Sequence, residues 1–348
     1  NEREAEAQQH FQMFAQLAGK LDRIIVLPNV ERKQIGACKK YSFDYYYSIE
    51  SLKAMYPNVK FMLQEQFKRW ANERYLKPSV RKIIISDGRY KGKNSAERYC
   101  LNEFSLNYNA LESNLIILKG KRRNAANLQK EVIKISTNDT VSNIEVLLFE
   151  YSSRHVIFPQ ETPTSINYSE FIINEVTDMV SKLTPYIAIH WQMERINPES
   201  MPKCAEKLAL KANNLKLRYN ISNVYLVTDY PLKSNLEMSA SFRNITSFHH
   251  KAIRILRRKA SFESFLSFII KNRWGDIVKW KKLTDTGLPE ILDKLMCIRA
   301  KILLTPPSEC KGGQKNDNYA DIIIEERKKL LQIEAGEQAI DEGDQWIF

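Results

Sequence analysis

Two short polar runs follow apolar segments, and they are where this sequence has chemistry to offer. The first is His190-Trp191-Gln192-Met193-Glu194-Arg195, directly after Tyr186-Ile-Ala-Ile189. The second is Thr228-Asp229-Tyr230-Pro231, directly after Val224-Tyr-Leu-Val227. Open parallel α/β sheets take polar ligands at the carboxyl ends of their strands, so these runs are candidate binding residues. An architectural reading fits them equally. His190 then closes a strand, Asp229 starts a turn before Pro231, and Arg195 pairs with Glu194 or another acid. A third feature is Asp293, set among Ile291, Leu292 and Leu295 on an apolar helix. A buried carboxylate there needs partners. A guanine edge, with two adjacent N–H donors, would supply them; otherwise Asp293 lies on the helix surface beside Lys294.

Other chemistries have less support. Glycine is scarce, with 11 in 348 residues, and neither G-x-x-x-x-G-K-[ST] nor G-x-G-x-x-G occurs. A phosphate site must therefore use side chains or a helix N-terminus. There is no nucleophile elbow, no paired-carboxylate motif and no D-x-D between strands. His249-His250 reads as a helix start, because no third ligand has metal-site spacing. The cysteines Cys38, Cys100, Cys204, Cys297 and Cys310 also lack metal spacing. Their odd number allows at most two internal disulfides and one thiol left over.

The formal net charge is +12, with basic clusters at Lys119–Arg123, Arg254–Lys259 and Lys279–Lys282. Such a surface suits nucleic acid, anionic lipid, a nucleotide or an acidic glycan, and equally a simply solvated exterior. Sequons at Asn138, Asn167, Asn220 and Asn244 lean toward the secretory route. No apolar run of about 18 residues appears, so no transmembrane helix is expected. Asn1 is not an initiator Met, and a targeting segment is expected upstream of this chain.

The elements that must position these residues follow from periodicity. Ala7, Phe11, Phe14, Ala15, Leu17, Ala18 and Leu21 make a helical stripe, and the strand Arg23–Leu27 follows. A helix near Ile49–Met55, a strand Val59–Leu63, a helix Glu65–Glu73 and a strand Lys82–Ser86 continue the α/β rhythm. Apolar segments at Glu112–Leu118 and Val146–Tyr151 complete the first half. A Pro/Thr/Ser-rich loop at Phe158–Ser169 separates it from the second.

There the helix Tyr168–Lys182 leads to the strand Tyr186–Trp191, which forms a βαβ unit with the helix Pro202–Leu215 and the strand Asn223–Asp229. Helices His249–Lys259, Phe262–Ile270, Leu288–Lys301 and Tyr319–Ala335 follow, with a strand at Lys301–Leu304. The expected division is residues 1–165, residues 166–335 and an acidic, fraying tail at 336–348.

The run Tyr-Ile-Ala-Ile-His-Trp-Gln-Met-Glu-Arg resembles the signature strand of the protein O-fucosyltransferases. Val-Tyr-Leu-Val-Thr-Asp229 resembles their following strand, and Ile291-Leu-Asp293-Lys-Leu-Met-Cys-Ile-Arg-Ala300 resembles the helix carrying their guanine-facing aspartate. Gln16–Pro28 is similar to their first helix and strand. The resemblance implies an α/β, GT-B-like fold with two Rossmann-like domains whose parallel sheets face across a cleft. It implies inverting, metal-independent transfer of fucose from GDP-fucose to a protein or glycan acceptor, in the ER or Golgi. Any membrane contact would come through a segment outside this chain, and no nucleic acid is expected.

Carried over residue by residue, the donor-binding set is His190, Gln192, Arg195, Asp229, Asp293, Asn318 and Tyr319. Two departures stand out. Gln192 occupies the position of an Arg that neutralises the diphosphate, a contact no neutral amide replaces. Asp317-Asn318-Tyr319 stands where the family carries Ser/Thr-Ser/Thr-Phe. The family's acceptor loop is not matched, so no catalytic base is assigned. These departures support a second expectation, a fucosyltransferase-fold pseudoenzyme acting as a binding protein. The net charge supports a third, a basic nucleic-acid-binding protein.

Overall fold

The structure is a computed structural model describing residues 4–31, 34–36, 39–86, 104, 106, 115–119, 125–137, 144–151, 165–194, 196–232, 244–272, 287–310, 318–334 and 340–342. The chain separates into two compact units, Asn1–Phe171 and Ile172–Phe348.

In the first unit, α1 (Glu4–Lys20) leads to β1 (Ile25–Leu27), and the short antiparallel strands β2 (Asn29–Glu31) and β3 (Gln34–Gly36) follow. Helices α2 (Phe43–Tyr46) and α3 (Ile49–Met55) precede β4 (Phe61–Leu63), which pairs parallel with β1, and α4 (Gln64–Asn72). A parallel sheet in the order β6 (Leu115–Lys119), β5 (Val80–Ser86), β7 (Val146–Tyr151) completes the unit, with α5 (Ala125–Thr137) between β6 and β7. The apolar stripe of α1 is explained by what it covers. Met13 and Leu17 pack with Ile83, Ile85, Leu128 and Val132, so α1 and α5 seal one face of that sheet. Val80 faces a second cluster with Phe67, Phe104 and Leu106.

The second unit carries a parallel four-stranded sheet. Helix α6 (Glu170–Leu183) enters it, followed by β8 (Tyr186–Trp191), α7 (Met201–Tyr219) and β9 (Asn223–Thr228). Then come α8 (Ser247–Ala260), α9 (Phe265–Asn272), α10 (Leu288–Arg299), β10 (Ile302–Leu304), α11 (Asn318–Glu334) and β11 (Ile340–Glu342). The strand order is β11-β10-β8-β9.

The alternation of β8 divides its side chains between two layers. Ile187, Ile189 and Trp191 join Val224 and Leu226 of β9, and α7 and α8 cover them with Ala205, Leu208, Ala212, Ala252 and Leu256. Those α7 positions recur every three or four residues, which is why that sequence folds as an amphipathic helix on this sheet. The opposite face, with Tyr186 and Tyr225, meets α10: the Tyr186 hydroxyl donates to the Met296 carbonyl at 2.7 Å. A Cys204–Cys310 disulfide ties the first turn of α7 to the segment after β10. Cys297 is a buried thiol, and Cys38 and Cys100 lie outside the described residues.

The expected fraying of 336–348 is corrected at its centre, because Ile340–Glu342 pairs parallel with Ile302–Leu304. An open strand edge offers backbone donors and acceptors whatever the charge of the incoming segment. Among the described residues, no helix is long and apolar enough to cross a membrane.

Candidate functional site

Parallel pairing brings three strand ends together in the second unit. His190 is level with Val227 and Trp191 with Thr228, while Leu304 of β10 is level with Ile189. Thr305, buried, directly follows β10. The polar runs after β8 and β9, singled out from sequence, therefore share one edge of the sheet with Thr305. Thr305, a site residue not among those expected, stands between the apolar Ile302–Leu304 and Pro306, the same kind of signal as Thr228-Asp229 before Pro231.

The two runs are joined by a carboxylate. Asp229 accepts the Met193 amide at 2.7 Å through one oxygen and the Glu194 amide at 3.0 Å through the other. Burial pushes the Asp229 carboxyl above its ordinary range, while the two amides pull it back down. Asp229 was expected as a donor-binding residue; both its oxygens serve the loop that carries Gln192. A carboxylate is well suited to this, because it has two acceptors and no donor to oppose either amide. The loop closes with an Ile196 amide to Met193 carbonyl bond, and Asn197 caps the short helix Pro198–Ser200 that starts α7. Gln192 is half-buried, and its amide group has no hydrogen-bond partner among the described residues.

Asp293 does not lie on an open helix surface. It is half-buried, and the Tyr225 hydroxyl donates to it at 2.6 Å. Burial and the neighbouring carboxylate hold Tyr225 well above the ordinary phenol range, so the phenol keeps its proton and remains the donor. Lys294 turns away, buried, to pair with Glu326 of α11 at 2.9 Å. The Cys297 thiol, one turn further along α10, is also pushed up by burial and by Asp293.

These contacts orient α10 against the sheet. The first residue of β8 meets Met296, whereas the mid-strand Tyr225 of β9 meets Asp293. The helix therefore runs antiparallel to the strands, and its N-terminal turn points toward the strand ends where His190 lies. Tyr225 is level with Ala188, so His190, on the same face, is one two-residue repeat (about 6.6 Å) further along. The helix starts at Gly287, whose φ of 81° is a left-handed conformation that glycine adopts without strain. Its C-terminal end is held by Arg327 of α11, whose guanidinium donates to the carbonyls of Cys297, Ile298 and Ala300 at 3.0, 2.9 and 2.7 Å.

A further pair, absent from the sequence reading, flanks the edge. The Tyr230 hydroxyl is 2.6 Å from Nδ1 of His250 on α8, with the rings edge to face. The adjacent His249 is buried and opens α8, its Nδ1 meeting the Thr246 amide at 3.1 Å. Of the other expected site residues, Arg195 and Asp317 lie outside the described residues. Asn318 and Tyr319 form the first turn of α11.

No protein-family model matches this chain, and no curated protein matches it either. Solved structures do. The chain is similar to POFUT1 in complex with GDP-fucose, at 13% identity and a TM-score of 0.53, over 99% of this chain and 96% of that one. A second crystal form of the same complex gives 12% identity and a TM-score of 0.54, over 99% and 95%. POFUT1 in complex with GDP gives 12% and 0.53, over 99% and 96%. This protein thus has an α/β, GT-B-like fold, the fold of those solved structures.

Proposed function

We propose that this chain is a fucosyltransferase-type glycosyltransferase that binds GDP-fucose at the strand ends of its second unit and passes fucose to a protein or glycan hydroxyl. The observation that carries the reading is the fold shared, over nearly the whole chain, with POFUT1 in complex with GDP-fucose. Convergence of His190, the Gln192 loop, Thr305 and the N-terminal turn of α10 on one edge of the sheet supports it.

In this reading Asp293, oriented by Tyr225, accepts the paired N–H donors of guanine, and His190 lies beside the donor. Gln192, Arg195, Asn318 and Tyr319 serve the diphosphate, and Asp229 holds the Gln192 loop in place. The acceptor oxygen attacks the anomeric carbon from the face opposite the phosphate. The carbon–oxygen bond to GDP breaks, its electron pair leaves with GDP, and the acceptor's proton is released. No metal is required. The Cys204–Cys310 disulfide supports passage through an oxidising compartment, as the secretory route would provide.

GDP at millimolar concentration is expected to raise the thermal unfolding midpoint and to give a calorimetric isotherm, with ADP much weaker. At about 100 times its dissociation constant, a ligand stabilises by about 2.7 kcal/mol. No response to GDP would defeat this reading.

Gln192 favours a second reading, a donor-binding protein with little transfer. One charge-assisted donor at the leaving group is worth about 10²–10³ in rate. Under that reading Gln192→Arg gains donor hydrolysis or transfer that the native chain lacks; an active native chain returns the first reading.

A further inference from the structure

Helices α7 and α8 cover the same face of the second unit's sheet, so their outward sides look the same way. Each carries five Lys or Arg residues, and Glu206 is the one acid on either. Ordinary solvated helices mix signs. Among the described residues, Glu309 also lies 2.6 Å from Lys207, and Glu206 is 3.4 Å from Lys259. Ten Lys or Arg against one acid is a cationic excess on the two helices.

The centre of this cationic face is apolar. Leu210 is 54% exposed and Leu217 84%, and their seven-residue spacing puts both on one side of α7, about 10 Å apart along the axis. Phe248, 38% exposed, opens α8. At 100° per residue, Lys207, Lys211 and Arg218 flank the leucines on one side, and Lys251, Arg254 and Arg258 form the exposed stripe of α8 on the other.

A strip of large apolar side chains between two rows of cations is poorly matched to a linear polyanion, which gains nothing from leucine. It matches an interface where headgroup phosphates lie above acyl chains. We infer that the outward face of α7 and α8 docks on a bilayer surface bearing anionic lipid. The cations act within a Debye length (about 8 Å at physiological salt), and Leu210 and Leu217 enter the acyl boundary. This face is separate from the donor edge, and the inference stands whether or not GDP-fucose is the donor.

The test is flotation of the full chain with phosphatidylcholine vesicles, with and without about one third phosphatidylserine. The expected result is binding to the anionic vesicles alone, weakened by salt. Lys251→Glu/Arg254→Glu/Arg258→Glu is expected to lower binding by about tenfold or more. Leu210→Ser/Leu217→Ser is expected to weaken it with the charge unchanged. Both variants alter exposed positions, and an unchanged GDP response and circular dichroism spectrum would show the fold intact. Equal binding to neutral vesicles, binding that ignores the leucines, or binding to heparin or RNA with no flotation would each overturn the inference.

Discussion

The two faces of the β8–β9 sheet use the same strands for opposite purposes. On one, Ile187, Ile189, Trp191, Val224 and Leu226 meet α7 and α8 through side chains that are apolar or nearly so. On the other, Tyr186, Tyr225 and His190 look toward α10, whose contacts are specified by hydrogen bonds: Tyr186 to Met296, Tyr225 to Asp293, and Arg327 across the helix end. An apolar contact tolerates sliding, because it depends on area and packing. A hydrogen bond of 2.6–2.7 Å does not. The face that must hold Asp293 and the N-terminal turn of α10 in register with the strand ends is therefore the one that is wired, while the other supplies cohesion.

Substitutions can separate the two. The largest effect is expected from Arg327→Met, which leaves three buried carbonyls without their charged donor and costs about 4 kcal/mol in urea denaturation. Next is Ile189→Ala on the apolar face, about 3 kcal/mol and independent of pH, because it removes volume rather than a titrating group.

Asp229→Asn is expected to cost about 2 kcal/mol, since an amide accepts one of the two loop N–H groups and opposes the other. Its pH dependence has a definite sign. Burial raises the folded-state carboxyl above its unfolded value, so the folded chain binds that proton more tightly. The contribution of this group is fully present below the unfolded value, about pH 3.9, and is lost as pH rises through the folded one. The wild-type margin over Asp229→Asn should thus shrink from acid toward neutral pH in paired urea titrations. A margin that grows would break the account of Asp229.

Smallest in stability is Tyr225→Phe, about 1 kcal/mol. It is the sharpest test of wiring, because GDP affinity measured by calorimetry should fall about 30-fold (about 2 kcal/mol), more than the stability does. Equal losses in both would make the two faces alike.

Much of this architecture was readable from the sequence where an apolar run was long and cleanly bounded. Tyr186–Trp191 and Asn223–Thr228 are strands within a residue of expectation, as is the helix between them at its start. Strands β2 and β3 were missed because three-residue strands such as Asn-Val-Glu show no alternation to read. Helix α5 was missed because its stripe, Leu128 and Val132 against Ile83 and Ile85, has only two fully buried members. The site was legible as two polar strand ends and one odd aspartate. What joins them was not, because Asp229 meets residues about 35 positions back in the chain and Tyr225 meets Asp293 68 positions on. No local pattern encodes such partners.

The grip of Arg327 on the end of α10 also sets an order of events during synthesis. Its acceptor carbonyls are made about 30 residues before the guanidinium that satisfies them. At about 5–20 residues per second, with a further delay in the ribosomal exit tunnel, α10 waits seconds with an unfinished end. Nascent chains stalled in that interval would hold the second unit open and be the natural clients of chaperones, whereas chains released past residue 327 would close on their own.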